Sequence, residues 1–440
     1  MSIRHISSEP LKYAAVVAAF ALSTSAVGTA LAADLGGDCC TDLEERVAEL
    51  EAVTAKKKKG KLEVSVTGVV HRAVLIWDDG NMRRINLVDP AVDSTGIAFE
   101  GGAKIGNGWK AGYKFKFDTN LVGSDDNNQL ARMTESERFK IDRSFVYIEQ
   151  EKLGNVAIGF NKSASRSIDN MEFTAAETTD AAIDDWMGGF SLRTKGGELL
   201  DLHWNDFLLG KFAGKKTHIV LYTSPKVNGF ELSASHGSND MRDIALRYSQ
   251  EFAKTWKFKA GIGYYHAASV KAGSTEQFND QVIGGSVALL HIPTGLNFSY
   301  NTAGMSHGDA CAERGVLSGK CRGNDVFHNF RGGVVREFNS LGKTAFYGEH
   351  YRSTTRNNLS DVDTITALAI TPTATTELQS TQSRVWGLGV TQYIDNAEMQ
   401  IYAGYRHHTL SVSLADAAGP VADKGLKPFD LFFSGIRIEF

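Results

Sequence analysis

The chain has 440 residues, a net charge of −4 and 22% charged residues, a balance that excludes the basic footprint of a nucleic-acid binder. A mean hydropathy of −0.21 excludes a bundle of membrane-spanning helices. The 44 glycines, 24 phenylalanines and 13 tyrosines against only 7 prolines suit many strands joined by tight turns.

At the N-terminus Arg4, His5 and Lys12 precede the apolar run "YAAVVAAFALSTSAV", which is followed by "GTALAA". Ala30-Leu31-Ala32 fits a small-x-small cleavage site, so residues 1–32 are predicted to be an export signal cut after Ala32. The run is broken by Ser23, Thr24 and Ser25 and is short for a spanning helix, although an uncleaved anchor is the alternative. Asp38 before Cys39 excludes a lipoprotein site. The four cysteines are Cys39, Cys40, Cys311 and Cys321. The last two bracket the polar stretch "CAERGVLSGKC" and are predicted to close an exposed loop as a disulfide in an oxidising compartment. Cys39 and Cys40 are adjacent and cannot pair with each other without strain, and a bridge between chains is the remaining idea.

In "TDLEERVAELEAVTA", residues 41–55, Leu43, Val47, Leu50 and Thr54 occupy d, a, d and a positions. That predicts a short coiled-coil helix of about two heptads, too few to hold together alone, and hence an oligomer assembled by other contacts. A single amphipathic helix lying on the body is the alternative. "KKKKGK" at 56–61 completes a predicted periplasmic segment, 33–61, as a charged linker.

From residue 62 to 440 the pattern is strand after strand. In "GWKAGYKFKFD" Trp109, Ala111, Tyr113, Phe115 and Phe117 alternate with Lys110, Gly112, Lys114 and Lys116. That period of two gives the strand one apolar and one polar face. The pattern recurs in "FELSASH", "IALRYSQEF", "WKFKAGIGYY" and "MQIYAGYRHH". No segment reads as a long helix that could cover these faces, so the sheet must close on itself to hide its edges. Short turns such as "IGNG", "KLGN", "SPKVNG", "HIPTG" and "IDNA" alternate with long loops, the longest being 161–215. That asymmetry belongs to outer-membrane barrels. The predicted strands are 62–77, 95–105, 108–118, 142–151, 155–160, 216–224, 229–237, 242–252, 256–268, 280–290, 294–303, 325–337, 343–354, 382–394, 398–410 and 428–440, a sixteen-stranded antiparallel transmembrane barrel with both termini on the short-turn side. The competing count is eighteen, if "GFSLRTKGGELLDLHW" at 189–204 adds a hairpin to the wall. In the last strand, "LFFSGIRIEF", Phe432, Ile436, Ile438 and Phe440 share the lipid side, while Phe433, Gly435, Arg437 and Glu439 share the other.

The export signal, "CCTDLEERVAELEA", "LYTSPKVNGFELSAS" and the terminal Phe440 resemble the trimeric general porins of Gram-negative outer membranes, most closely the alphaproteobacterial branch. The resemblance covers the whole mature chain. It implies a homotrimer of sixteen-stranded barrels in outer-membrane lipid, with periplasmic termini. It also implies a third outer loop folded into the lumen, and a terminal Phe440 read as a signal by the barrel assembly machinery. The implied function is passive diffusion of ions and small hydrophilic solutes through a water-filled channel. The alternatives are a substrate-specific outer-membrane channel, and a barrel acting mainly as an envelope tether or adhesin.

The residues themselves suggest where such a channel would narrow. Loop 161–215 carries Asp169, Glu172, Glu177, Asp180, Asp184 and Asp185 in its first half. The strand faces opposite the aromatics carry Lys104, Lys110, Lys114 and Lys116. Arg143 joins them only if its face is the polar one, which apolar residues on both faces of 142–151 leave open. Acid on a folded-in loop facing bases on the wall would set a transverse field across the channel. Solvated loop and wall charges are the simpler reading of any one of these residues. No G-x-S-x-G, H-E-x-x-H, P-loop or C-x-x-C is present, so no enzyme, cofactor or metal is predicted. His407 and His408 alternate along a strand and point to opposite faces.

Overall fold

The computed structural model describes residues 63–440, apart from residues 121, 131–137, 175–182, 209–213, 239, 271–276, 307–323, 357–361 and 374. The export signal, the coiled-coil segment, the Lys-rich linker and all four cysteines therefore lie outside the described residues.

Sixteen long strands form the wall: β1 (Glu63–Asp78), β2 (Gly96–Gly106), β3 (Trp109–Asn120), β4 (Arg138–Gln150), β5 (Gly154–Lys162), β6 (Lys216–Thr223), β7 (Phe230–Gly237), β8 (Met241–Phe252), β9 (Trp256–Val270), β10 (Gln277–His291), β11 (Leu296–Ser306), β12 (Asp325–Asn339), β13 (Gly342–Thr355), β14 (Glu377–Ile394), β15 (Met399–Asp416) and β16 (Phe429–Glu439). Each pairs antiparallel with the next, and β16 returns to β1 from Val69↔Glu439 to Asp78↔Asp430, so the sheet has no free edge. The expected closure of the last strand onto the first is what the register shows. Among the described residues no helix is long and apolar enough to cross a membrane.

The differences from the predicted strands are physical rather than arbitrary. β14 and β15 run further, to Glu377 and Asp416, because Ser and Thr residues continue the ladder past the apolar belt. Short strands Arg83–Val88 and Gly419–Val421 extend the sheet in the same way within two of the long loops. The hairpin suspected at 189–204 does form, from Ser191–Arg193 and Leu199–His203. It forms a separate two-stranded sheet inside the long loop, joined to residues 425–427 by an isolated bridge at Thr194↔Leu426, so the wall keeps sixteen strands. The "VNG" turn between β6 and β7 places Asn228 and Gly229 at φ 50° and 89°, the left-handed pair a tight hairpin needs.

Period two sorts the side chains. Val64, Val66, Val146, Ile148, Ile158, Val220, Phe230, Ile262, Ile283, Phe298, Phe346, Leu388, Ile401, Ile436 and Ile438 stand exposed on the outward face. Opposite them are buried Ser233, Ser235, Asp243, Ser286, Asn297, Ser299, Asn301 and Arg331. An apolar outside and a polar inside is the inverse of a soluble protein and matches a wall between lipid and water. The largest buried cluster is Trp77, Trp186, Phe190, Trp204, Phe207, Phe429 and Phe433, which joins the long loop to the inner faces of β1 and β16.

Candidate functional site

The described parts of the long loop between β5 and β6 touch inner faces on opposite arcs of the cylinder, so both lie within the lumen. Its first arm is tied down by hydrogen bonds to polar wall residues. Asp243 on β8 accepts from the amides of Ala164 (3.2 Å) and Ser165 (2.7 Å), from the Ser165 hydroxyl (2.7 Å) and from Ser235 on β7. Arg247, four residues along β8 on the same face, donates to the carbonyls of Ala164 (2.7 Å) and Arg166 (3.2 Å). Ser286 on β10 donates to the carbonyl of Ile168 (2.6 Å) and accepts from the Met171 amide (3.2 Å). Arg331 on β12 donates to Asn170 Oδ1 (2.9 Å). Between these anchors Ile168 packs so closely on β9 that a Cβ at Gly261 would lie 2.4 Å from its Cδ1. A side chain there would force Ile168 and Met171 to move.

The second arm is held by aromatic packing instead. Trp186 stacks on Phe433 of β16 with ring centroids 4.5 Å apart, Phe190 sits against Trp77 (5.1 Å) and Phe429 (4.9 Å), and Trp204 meets His408 (5.9 Å). Ser383 on β14 donates to the Phe207 carbonyl (3.1 Å). At the mouth, Arg193 pairs with Asp79 (2.9 Å), both almost fully buried. Burial would push the Asp79 carboxyl up, but Arg193 and the amides of Met82 and Asn81 outweigh it and hold the group below the usual carboxylate range. Phe433 faces inward as its strand parity required, and with Leu75, Trp77 and Leu431 it makes an apolar patch on the inner face that the second arm covers.

The predicted acidic residues separate. Asp169 is buried in the first arm, and the Glu172 carbonyl accepts from Lys259 on β9 (3.3 Å). Asp184 and Asp185 fall in a short 3-10 turn, Ile183–Trp186, where the Asp185 carbonyl accepts from Ser124. Glu177 and Asp180 lie outside the described residues. The predicted bases share one wall face, but their carboxylates come from that wall rather than from the loop. Lys110 pairs with Glu149 (3.4 Å), Lys114 with Glu100, and Lys116 with Asp118 (3.1 Å) and Asp142 (3.7 Å). Arg143 pairs with Asp142 (3.3 Å), and Lys104 has no ion partner among the described residues.

A β-bulge resolves the ambiguity at Arg143. Lys116 pairs with Arg143 and Phe117 with Ile141, leaving Asp142 as an extra residue. Phe139 and Ile141 point outward before it, and Val146 and Ile148 after it; within 142–151 the second apolar face is Phe145 and Tyr147, which alternate with Val146 and Ile148 and share the parity of Arg143. The bulge turns Asp142 inward, where Lys116, Arg143 and Lys216 converge on its carboxylate.

Sequence reasoning missed two further charged groupings. Glu349 on β13 is buried between Arg406 on β15 (2.6 Å) and Arg331 on β12 (3.4 Å), with all three side chains at most 2% exposed. Such a cluster holds together because each charge has its counter-charge at contact distance. Below the first arm lies a cavity of ≈ 640 Å³. Its charged lining is Lys162, Lys226, Arg247 and Lys259 against Glu172 and Glu231. Strand parity could have placed Glu231, Arg247 and Lys259 inward, but not beside the loop. Phe440 ends β16 at the outer surface, 65% exposed, its ring over Gly68 and its main chain exchanging hydrogen bonds of 2.7 and 3.0 Å with that residue.

A family model described as Gram-negative porin matches residues 14–424. Among solved structures, an outer membrane protein OmpT of Vibrio cholerae with loop L8 deleted is similar over 87% of this chain and 100% of its own, at 11% identity and a TM-score of 0.50. An anion-selective porin from Comamonas acidovorans is similar over 86% of this chain and 100% of its own, at 13% identity and a TM-score of 0.50. A trimer form of in-vitro folded V. cholerae OmpT covers 87% of this chain and 100% of its own, at 12% identity and a TM-score of 0.50. At these identities the likeness to solved structures is one of fold. A search of curated proteins finds no match.

Proposed function

The chain belongs to the Gram-negative porin family, and on that premise we propose how its lumen sorts solutes and how its copies assemble. The protein is an outer-membrane β-barrel channel for passive diffusion. In our reading the in-folded loop sets the narrow part of the channel, and that part favours small hydrophilic anions over cations. The observation that carries this is the cavity beneath the first arm, lined by Lys162, Lys226, Arg247 and Lys259 against only Glu172 and Glu231. An excess of one sign along a narrow aqueous path raises the local concentration of the opposite ion. The transverse field expected between Asp169–Asp185 and Lys104–Arg143 is proposed here in a changed form. Its described acidic pole is Glu172 with Glu231, and its basic pole is Lys259 with Arg247 and Lys226.

Reversal potential under a KCl gradient in planar bilayers tests this reading. The wild type is expected to pass chloride in preference to potassium, and Lys259→Glu with Lys226→Glu should shift the preference toward potassium. A potassium-preferring wild type would contradict it.

We also propose a homotrimer. A solved neighbour exists in a trimer form, and the outward faces of β2 to β4 carry the ring groups Phe99, Tyr113, Phe115, Phe117 and Phe139, suited to a partner barrel. Residues 33–61 would add a coiled-coil contact in the periplasm, and Phe440 would serve as the assembly signal.

A further inference from the structure

On the outward face of β12 to β14, near the long-loop end, the ladder sets His328 opposite Arg352 and Arg352 opposite Arg384. Outward side chains that face each other across antiparallel strands sit about 5 Å apart, and like charges so placed repel. Both arginines are exposed, and neither has a carboxylate partner among the described residues. Arg384 is instead braced by a neutral group, Gln382 Oε1, at 3.1 Å from Nε and 2.6 Å from Nη2. His328 is held by Tyr300 (2.8 Å).

One ladder step toward the short turns, the same face carries Phe330, His350, Trp386 and His407. The step beyond is apolar at Leu388, with Val390 and Phe346 further down. The arginine pair therefore stands one row past the aromatic girdle of a lipid-facing wall, at the level where headgroup phosphates begin. A phosphate is the group that matches two guanidinium forks at once, because each fork presents parallel N–H donors to a pair of anionic oxygens. Bridging by one phosphate would turn the repulsion between Arg352 and Arg384 into a shared attraction.

We propose that Arg352 and Arg384, flanked by His328, form a docking site for the phosphate of an anionic lipid headgroup in the outer leaflet. The occupant is a lipid rather than free phosphate because the adjoining Trp386, Leu388 and Phe330 are exposed and would be covered by its acyl chains.

Native mass spectrometry of the detergent-solubilised full chain, titrated with phosphatidic acid or with phosphatidylcholine, tests the proposal. The wild type is expected to retain phosphatidic acid about tenfold more strongly than phosphatidylcholine. Arg352→Gln with Arg384→Gln should abolish that preference, while Arg242→Gln, which removes an arginine paired with Asp240 (3.0 Å), should leave it intact. Inorganic phosphate at matched concentration should not displace the lipid. Equal retention of the two lipids by the wild type would overturn the site whether or not the double variant assembles. An unchanged preference in the assembled double variant would overturn it too, and displacement by inorganic phosphate would overturn the assignment to lipid.

Discussion

Asp142 shows how one residue organises charge in the channel. Its side chain is 3% exposed and receives Lys116, Arg143 and Lys216. Asp142→Asn keeps the shape and removes the carboxylate on which these three converge, leaving Lys116 its second partner, Asp118 (3.1 Å). The loss of stability is expected to be about 2 kcal/mol, below the range for a fully buried pair because Arg143 and Lys216 are partly solvated. Urea unfolding of the detergent-solubilised barrel measures it, and a midpoint equal to that of the wild type would show that the cluster does not act as a unit. The same change should raise chloride preference, since Arg143 and Lys216 lose their carboxylate partner. The sign of the charges here was legible from strand parity. Their pairing was not, because a single extra residue in β4 changes which side chains face inward, and nothing in "FKIDRSFVY" marks a bulge.

At the scale of elements, strand existence was the most legible feature. Alternation recurs along most of the wall, with β4 interrupted by its bulge, and β16 closes onto β1 as expected. The long loop was legible as a loop of unusual length, and its acidity was visible. Its path was not, because that depends on where polar wall residues such as Asp243, Arg247 and Ser286 come to lie after sixteen strands have found their register. The purpose of the apolar residues on the inner faces of β1 and β16 was hidden for the same reason, since their partner, the second arm, is more than a hundred residues from either strand. β16 also carries the prediction about assembly. The wild type is expected to migrate as a heat-sensitive trimer on gels without boiling. Deleting Phe440, which also removes the two main-chain bonds to Gly68, should lower the yield of that species more than it alters conductance per channel. A wild type that stays monomeric would contradict the trimer, and an undiminished yield without Phe440 would contradict its role in assembly.

The barrel is an inside-out arrangement. The closed ladder satisfies the backbone where no water reaches it, the outer apolar face is matched to lipid, and a core of tryptophan and phenylalanine inside the barrel fixes the loop to one arc of the wall. Hydrogen bonds hold the other arm across β7 to β12. In the function proposed above, the channel is bounded on one side by this anchored in-folded segment. Ser167 lies on that segment, exposed to the cavity beneath it. The most direct measurement is single-channel conductance of Ser167→Cys before and after labelling with a negatively charged thiol reagent, with the wild type as control for the native cysteines. Labelling should reduce conductance and weaken chloride preference, because it adds bulk and negative charge in the narrow part of the path. Unchanged conductance after labelling verified by mass spectrometry would contradict the claim that this segment bounds the channel.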